Sequence, residues 1–491
     1  MKKTIGYRVL ALSLVVVLSV GAFAGCKKGT TSSDIDSDMS VSDDDYFVYD
    51  PDNSADASTT SGGTVSGYKG GNKGNTSGGN TSGNGNTTKE DRLAVFKNMP
   101  AKLRGTTVSF AQWGDEGGDR YRKLAQKFTS DYGIKVKWVD YSQTNYSSEI
   151  LTQIAANNGP DIIICTSDFP STVEVTQPLP SYFNLNDGFW DKRVSEALRV
   201  KGKYYYVNTY NSTFIEPHFV IYNKKIFSSK GITTPDEYYS AGKWTYENFI
   251  KCMEAVTKAG YTGALLNNPL TLANHLGGRD IFTYNPDTAT FSADITNNAV
   301  LEAMQIISES FQKNIAVDYA NFTNGRVGLM ISTPWALKYN GNLKDMAPSD
   351  VGVVPLPTSY KGKKPDNFVA GARGYGIAKG AKNPEGAYYF LRYYLDYENY
   401  QAAGINIFSN KTLEKYFVEK ILPEYKKGTK MCSSYAFGLT RIAGVPFYPY
   451  NDPWKAAFQA APSQVATELA KLQGICDNAA KLGSERLKSI K

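Results

Sequence analysis

The sequence predicts an α/β fold built on parallel sheet, and three observations carry that expectation. Strand-like and helix-like apolar patterns alternate from about residue 104 onward. The third strand segment, Asp161-Ile162-Ile163-Ile164-Cys165, is apolar after its first residue, as strands covered on both faces tend to be. The chain has 491 residues, 41% hydrophobic and 13% aromatic, enough for a sizeable core and roughly three domains by the usual size relation.

The chain opens on Lys2, Lys3 and Arg8, then an apolar run from Val9 to Val20, then small residues up to Cys26. The run is too short to span a bilayer and leads into a polar segment, so residues 1–25 read as a secretory signal peptide. Phe23-Ala24-Gly25-Cys26 resembles a bacterial lipobox, with Phe23 in a place where Leu is usual. The resemblance implies a lipidated Cys26 whose acyl chains hold the protein at the extracellular face of the cytoplasmic membrane. Residues 26–100 begin acidic (Asp34, Asp36, Asp38, Asp43, Asp44, Asp45) and continue as Gly/Ser/Asn/Thr sequence through Thr88. Such composition makes a flexible tether, and about 70 residues of it reach roughly 45–50 Å root-mean-square.

Thr107 to Trp113 reads as the first strand, and Tyr121, Leu124, Ala125 and Phe128 form a helical face closed by Gly133. Ile134, Val136 and Trp138 alternate as a second strand. A helix with Ile150, Leu151 and Ile154 follows, stopped by Asn157-Asn158-Gly159-Pro160 before the third strand. Strand, helix, strand, helix, strand implies a parallel sheet with right-handed crossovers. Ligands of such sheets sit outside the carboxyl ends of the strands, which here carry Trp113-Gly114-Asp115 and Ser167-Asp168. Trp113 has a second reading as a core aromatic, and Asp168 as a helix N-cap.

Residues 203–227 read as two extended segments, Lys203 to Val207 and Phe219 to Phe227, crossing between lobes through the polar stretch Tyr210-Asn211-Ser212-Thr213. A helix with Phe249, Cys252, Met253 and Val256 on one face ends at Gly260. Arg326 to Leu337 reads as a strand running into a helix, with Trp335 just after Pro334. Val353 to Pro357 is a short strand, and Phe368 to Ala378 a second one crowded with glycines. Glycines there signal either a bulge or close approach of a ligand or another backbone. A helix at about 383–395 has Asn383 as N-cap and Pro384 at its first position, with Ala387, Phe390, Leu391 and Tyr394 on one face. Finally, Asp452 and Pro453 start a long helical pattern that puts Trp454 in its first turn, at a cleft or in a core.

The net charge of +7 is dispersed, with no Lys/Arg block of the kind that binds nucleic acid. The 34 tyrosines suit wet binding surfaces, offering an apolar face and a polar tip. Cys165 lies in an apolar run, and Cys432 with Cys476 is a candidate disulfide in an oxidising compartment. The sequence holds no Walker A loop, H-E-x-x-H, G-x-S-x-G or C-x-x-C, and His218 and His275 are its only histidines. We therefore expect no cofactor, no metal site and no enzyme.

In this order, several segments resemble the family 1 extracellular solute-binding proteins, the maltose-binding-protein-like lipoproteins of ABC importers. They are Trp113-Gly114-Asp115, Gly159 to Ile163, Val220 to Phe227, Arg326 to Trp335, Val353 to Pro357 leading into Gly371 to Ile377, and Asn383-Pro384-Glu385. The resemblance covers about 105–491 and implies a type II periplasmic-binding-protein-like fold, two α/β lobes that close on a central cleft by a hinge. It puts lobe 1 at 101–212 plus 366–425 and lobe 2 at 216–358 plus 426–491. It implies a monomer that takes a carbohydrate, most simply an oligosaccharide, to ABC permease subunits. Asp115 and Asp168 match places that bond sugar hydroxyls, and Trp335 and Trp454 match places that stack on pyranose faces. Trp113 and Tyr450 are plausible neighbours, and Tyr210 and Asn211 complete the candidate set. The family often carries Trp in the Gly-rich strand, where this chain has Arg373 and Tyr375. Arg373 either clamps an anionic ligand bidentately or pairs with a protein carboxylate. The alternatives are a binder of a non-sugar or anionic ligand and a lipoprotein glycoside hydrolase using Asp115 and Asp168.

Overall fold

The computed structural model describes residues 89–489 apart from 114–117, 143–144, 166–168, 170, 267–268, 358–360, 363–366, 372, 429, 434–438, 440–441 and 446–451. Cys26 and the signal segment, Asp115, Asp168 and Tyr450 lie outside the described residues.

Folded structure begins earlier than the composition suggested. Lys89–Lys97 forms helix α1, inside the stretch read as tether. Leu93 and Phe96, one turn apart, supply its apolar face, and the Phe96 ring stacks on Tyr132 at 4.4 Å. Arg92 pairs with Asp396 at 3.0 Å and with Glu398, adding ion pairs to that apolar contact.

The first sheet contains β1 (Thr107–Trp113), β2 (Lys135–Tyr141), β3 (Ile162–Ile164), β4 (Tyr206–Val207) and the late strand β14 (Tyr375–Ile377). Their order is β2-β1-β3-β14-β4. β1, β2 and β3 are parallel, while β14 runs antiparallel to both of its neighbours. Helix α2 (Asp119–Tyr132) connects β1 to β2 and is closed by Gly133 at φ 76°, a left-handed conformation that suits glycine. Helix α3 (Tyr146–Ala155) connects β2 to β3, and the Tyr146 hydroxyl accepts the Ile164 amide at 2.8 Å.

The second sheet repeats the pattern. β6 (Phe219–Asn223), β7 (Thr262–Leu265), β10 (Ala316–Val317), β11 (Val327–Ser332) and β12 (Val351–Pro355) take the order β10-β7-β11-β6-β12. β10, β7 and β11 are parallel, and β6 is the antiparallel insertion. In each sheet the antiparallel strand is the one reached just after a crossing from the other sheet. Both faces of the second sheet are covered. Phe219, Ile221 and Met330 join the first core, whereas Val220, Tyr222, Leu329 and Ile331 join the second. The period-2 alternation along β6 and β11 is what a pleated strand requires.

Two segments pass between the sheets and lie, with a third strand beside them, in a small sheet of their own. β5 (Glu216–Pro217) pairs antiparallel with β13 (Asn367–Gly371), and β13 pairs parallel with β15 (Lys430–Ser433). The Gly-rich stretch is thus two strands in two sheets, not one. Its glycines make room for a tyrosine, not a ligand: a Cβ on Gly376 would lie 2.7 Å from Tyr206 Cε1, and one on Gly374 2.6 Å from Tyr206 Cβ.

Other readings are corrected or sharpened. Phe219 to Phe227 is not extended throughout; the Asn223 side chain accepts from the Lys225 and Ile226 amides and starts a helix at Lys224–Ser229. The helix Pro384–Tyr394, α4 here, is capped as expected, with Asn383 Oδ1 accepting the Gly386 amide at 3.0 Å. Many tyrosines turn out to be core residues, among them Tyr121, Tyr146, Tyr206, Tyr222, Tyr246, Tyr375, Tyr394 and Tyr400. Cys476 is a buried free thiol, pushed up to about 12 by burial, so the pairing with Cys432 is not made. Residues 411–425, which the resemblance put in lobe 1, pack on one face of the second sheet. There Tyr416 donates to the Val351 carbonyl at 3.1 Å and Lys420 to that of Val353 at 3.1 Å. Among the described residues no helix is long and apolar enough to cross a membrane.

Candidate functional site

The parallel strands deliver their carboxyl ends at Trp113 and Ile164 in the first sheet and at Leu265 and Ser332 in the second. Open α/β sheets bind ligands outside such ends. The segments that follow them meet. At the start of α2, the Arg120 guanidinium sits 4.3 Å from the Tyr339 ring centre and donates to the Phe408 carbonyl at 3.4 Å. The Tyr121 and Tyr339 rings are 6.4 Å apart. Lys338 is buried with its ammonium 4.7 Å from the Phe214 ring centre. The end of β1 and the end of β11 therefore border one region.

Trp335 stands on that border. After β11 the chain makes a 3-10 turn, Pro334–Leu337, with Pro334 preset for its first position. Ala336 and Leu337 are buried and anchor the turn, leaving Trp335 half-buried. The Trp335 carbonyl accepts the Lys338 amide at 3.0 Å. Trp113 closes β1 opposite Tyr141; its side chain lies outside the described residues.

The remaining candidates separate from this border. Trp454 is buried in the second core, its packing alternative. Arg373 takes its second reading: it is buried and donates to Glu216 Oε1 at 3.4 Å, linking the return crossing to the first one. The Asn208 amide holds the Arg373 carbonyl at 2.8 Å. Asn211 donates to Asp396 Oδ1 at 3.3 Å and lines a pocket of about 330 Å³ with Tyr397, Gln401, Leu422 and Lys426. Burial raises the Asp396 carboxyl, while Arg92 and Asn211 oppose that shift. Burial and nearby Arg92 lower the Lys426 ammonium.

Tyr210 belongs to a cluster that sequence reasoning did not find. Arg193 Nε donates to Asp191 Oδ1 at 2.9 Å and Nη2 to Oδ2 at 2.7 Å, the planar fork that guanidinium and carboxylate share. Its Nη1 donates to the Tyr425 carbonyl at 2.9 Å and to that of Gly428. The same guanidinium lies 4.8 Å from the Tyr210 ring centre and 4.6 Å from that of Tyr425. The Tyr425 hydroxyl donates to Asp191 Oδ2 at 2.5 Å. Burial works against the Arg193 charge, but the bonded Asp191 outweighs it, so its proton is held more tightly than usual. Asp191 and Arg193 look like an ordinary helix start in the sequence, and Tyr425 and Gly428 are more than 200 positions away.

His275, on the helix Pro269–Gly277, is also buried, with Nε2 2.9 Å from the Pro357 carbonyl at the start of the return crossing. Burial holds its imidazole below the usual histidine range, opposed by that hydrogen bond.

The comparisons with known proteins agree with this architecture. A family description, bacterial extracellular solute-binding protein, matches residues 113–401. No curated protein matches the sequence. Among solved structures, an ABC transporter solute-binding protein from Thermotoga lettingae bound with α-D-tagatose is 15% identical. It aligns over 77% of this chain and 100% of its own, with a TM-score of 0.55. A cyclo/maltodextrin-binding protein complexed with maltotetraose is 18% identical over 78% of this chain and 98% of its own, with a TM-score of 0.51. At such identities the likeness speaks for the fold, which in these relatives is the two-lobed type II arrangement. With a family match across most of the folded region and the same paired sheets joined by crossing strands, the chain belongs to the bacterial extracellular solute-binding proteins.

Proposed function

We propose that the protein is the substrate-binding lipoprotein of an ABC importer. It captures a carbohydrate, most simply an oligosaccharide, and delivers it to membrane permease subunits. The observation that carries this reading is the meeting of the segments that follow β1 and β11, with Trp335 half-buried in the turn that follows β11. A pyranose presents an apolar C–H face to a flat ring and hydroxyls to carboxylates, so Trp335 is the stacking platform. Trp113, Asp115, Asp168 and Tyr450 supply the remaining contacts from neighbouring segments. The sugars bound by the tagatose and maltotetraose relatives support the same ligand class. Cys26 is the lipidation site, residues up to 88 form the tether, and the protein acts as a monomer without catalysis. Lobe 1 comprises 101–212 with 366–410, and lobe 2 comprises 216–358 with 426–491. Residues 411–425, put in lobe 1 by the resemblance, go with lobe 2 because they pack on its sheet. The pairing of Arg373 with Glu216 supports a neutral ligand over an anionic one.

A thermal-shift screen against neutral and acidic mono- and oligosaccharides tests the reading, with the same mixtures analysed chromatographically for cleavage. A ligand at a hundred times its Kd stabilises a folded protein by about 2.7 kcal/mol, a readily detected shift. Stabilisation by one neutral sugar class with no product is the expected result. Cleavage of a glycosidic bond, or stabilisation by acidic ligands alone, would replace it with one of the alternatives.

A further inference from the structure

Among the described residues the Trp335 indole makes no hydrogen bond and meets no other ring, so the backbone of its turn decides where the ring points. The last carbonyls of a helical turn have no partner inside it. Those that end Pro334–Leu337 are satisfied from elsewhere. The Ala336 carbonyl accepts the Leu343 amide at 3.2 Å, and that of Leu337 the Ser409 amide at 3.0 Å. The Lys338 carbonyl accepts the Gly341 amide at 2.9 Å and the Ser409 hydroxyl at 2.7 Å. Gly341 lets the loop fold back on the turn: a Cβ there would lie 2.1 Å from the Trp335 carbonyl oxygen.

Ser409 is itself held firmly. Ile407 and Phe408 before it are fully buried, and the Phe408 ring meets Tyr397 edge-on at 5.8 Å and Phe417 at 5.2 Å. The Ile407 carbonyl accepts the Tyr339 amide at 3.1 Å, and Phe408 pairs antiparallel with Lys338. The Arg120 guanidinium, over the Tyr339 ring, reaches the Phe408 carbonyl from α2. After Ser409, Asn410 Oδ1 accepts the Leu413 amide at 2.9 Å and caps the helix Lys411–Tyr416. Residues 407–409 therefore lie against 337–339 as a fixed support, with buried rings at one end and a capped helix at the other.

We infer that Ser409 is a positioning residue of the sugar site. Its hydroxyl, bonded to the Lys338 carbonyl with that of Leu337 3.2 Å away, holds the end of the turn in the geometry that presents the Trp335 ring. Ser409 acts through Trp335 and makes no ligand contact of its own. The Ser409 and Gly341 amides keep their bonds to the turn when the hydroxyl is removed, so its loss loosens the turn without unfolding it. The inference rests on Trp335 as the stacking platform, and its first test needs no ligand.

The full chain, labelled with fluorotryptophan, gives one fluorine resonance for each of its six tryptophans, and Trp335→Phe identifies that of Trp335. In Ser409→Ala we expect the Trp335 resonance to shift or broaden while the others stay in place. Ser409→Thr, which keeps the hydroxyl, should return it toward the wild-type position. The variants are then titrated with the neutral sugar that stabilises the wild type most in the screen above. Ser409→Ala should bind it about 2- to 10-fold more weakly, the worth of one neutral hydrogen bond, and Ser409→Thr close to the wild type. An unmoved Trp335 resonance, equal affinity in Ser409→Ala and the wild type, or a folded Ser409→Thr that behaves like Ser409→Ala overturns the inference. All resonances moving together would mean general loosening and overturn it too. Ser409→Ala decides alone if Ser409→Thr does not fold. If no sugar binds the wild type, the function proposed above fails, while the fluorine result stands or falls by itself, so the two are told apart.

Discussion

The two sheets share one strand order and differ in what fills the space around them. The first is packed in rings: Phe110 meets Tyr394 at 5.3 Å edge-on and Phe390 at 5.8 Å, and Phe128 meets Phe390 at 5.3 Å. The second core is mainly aliphatic around its strands, with Val220, Leu329, Ile331, Met253, Val256 and Ile307. One topology is therefore satisfied by two core chemistries. What the halves have in common is the burial pattern, the crossovers and one local device. In the first sheet Gly374 and Gly376 make room for Tyr206; in the second, a Cβ on Gly352 would lie 2.0 Å from Tyr222 Cε1. In each sheet the antiparallel strand and the edge strand beside it pair a tyrosine with a glycine. Gly376 on the antiparallel strand faces Tyr206 in the first, and Tyr222 on the antiparallel strand faces Gly352 in the second.

The contrast can be broken by substitution. Truncating a ring in the first core should cost most: Phe110→Ala is expected to lose about 3–5 kcal/mol, with Leu329→Ala in the second core at about 2–5 kcal/mol. Urea unfolding checks both, and a Phe110→Ala protein of wild-type stability would refute the ring-packed core. Next come the glycines. Gly352→Ala should approach the upper end of the about 1–3 kcal/mol that overpacking costs, and Gly376→Ala the lower end. The reverse order in the same assay would mean that Tyr222 yields more readily than Tyr206.

A smaller effect separates the halves by pH. His275 is buried neutral in the second half, so the unfolded chain binds a proton that the folded one resists. Its contribution is complete above the ordinary histidine value of about 6.5 and is lost as pH falls below it. His275→Gln should flatten that part of the stability–pH curve measured by thermal unfolding; an unchanged slope assigns it to other groups. The smallest effect belongs to the half-exposed Arg122–Asp140 pair at 2.5 Å. Asp140→Asn should change stability by less than about 1 kcal/mol, and less still in high salt.

Much of this fold was legible in the sequence. Thr107 to Trp113, the Phe249/Cys252/Met253/Val256 face and the Asn383-Pro384 start are local patterns, and each formed as its residues dictate. Helix α1 was missed because its nine residues follow a long polar run, and its stability comes from Tyr132 and Asp396, far away in the chain. The tyrosines misled for a related reason: a phenol ring is equally at home in a core when its hydroxyl finds a partner, as Tyr146 does at Ile164. The site was legible only as positions at strand ends. Trp335 could be placed from Pro334 and the strand before it, whereas the partner of Arg373 and the whole Arg193 cluster depend on register between segments no local pattern joins.

The most direct test of the binding account is calorimetric titration of wild-type protein and Trp335→Ala with the sugar that stabilises the wild type most. The account predicts saturable one-to-one binding, weakened in the variant by roughly 1–3 kcal/mol, about 5- to 150-fold in Kd, with thermal stability of the ligand-free proteins nearly equal. Equal affinity in both proteins would contradict it, placing Trp335 in the core and the sugar elsewhere.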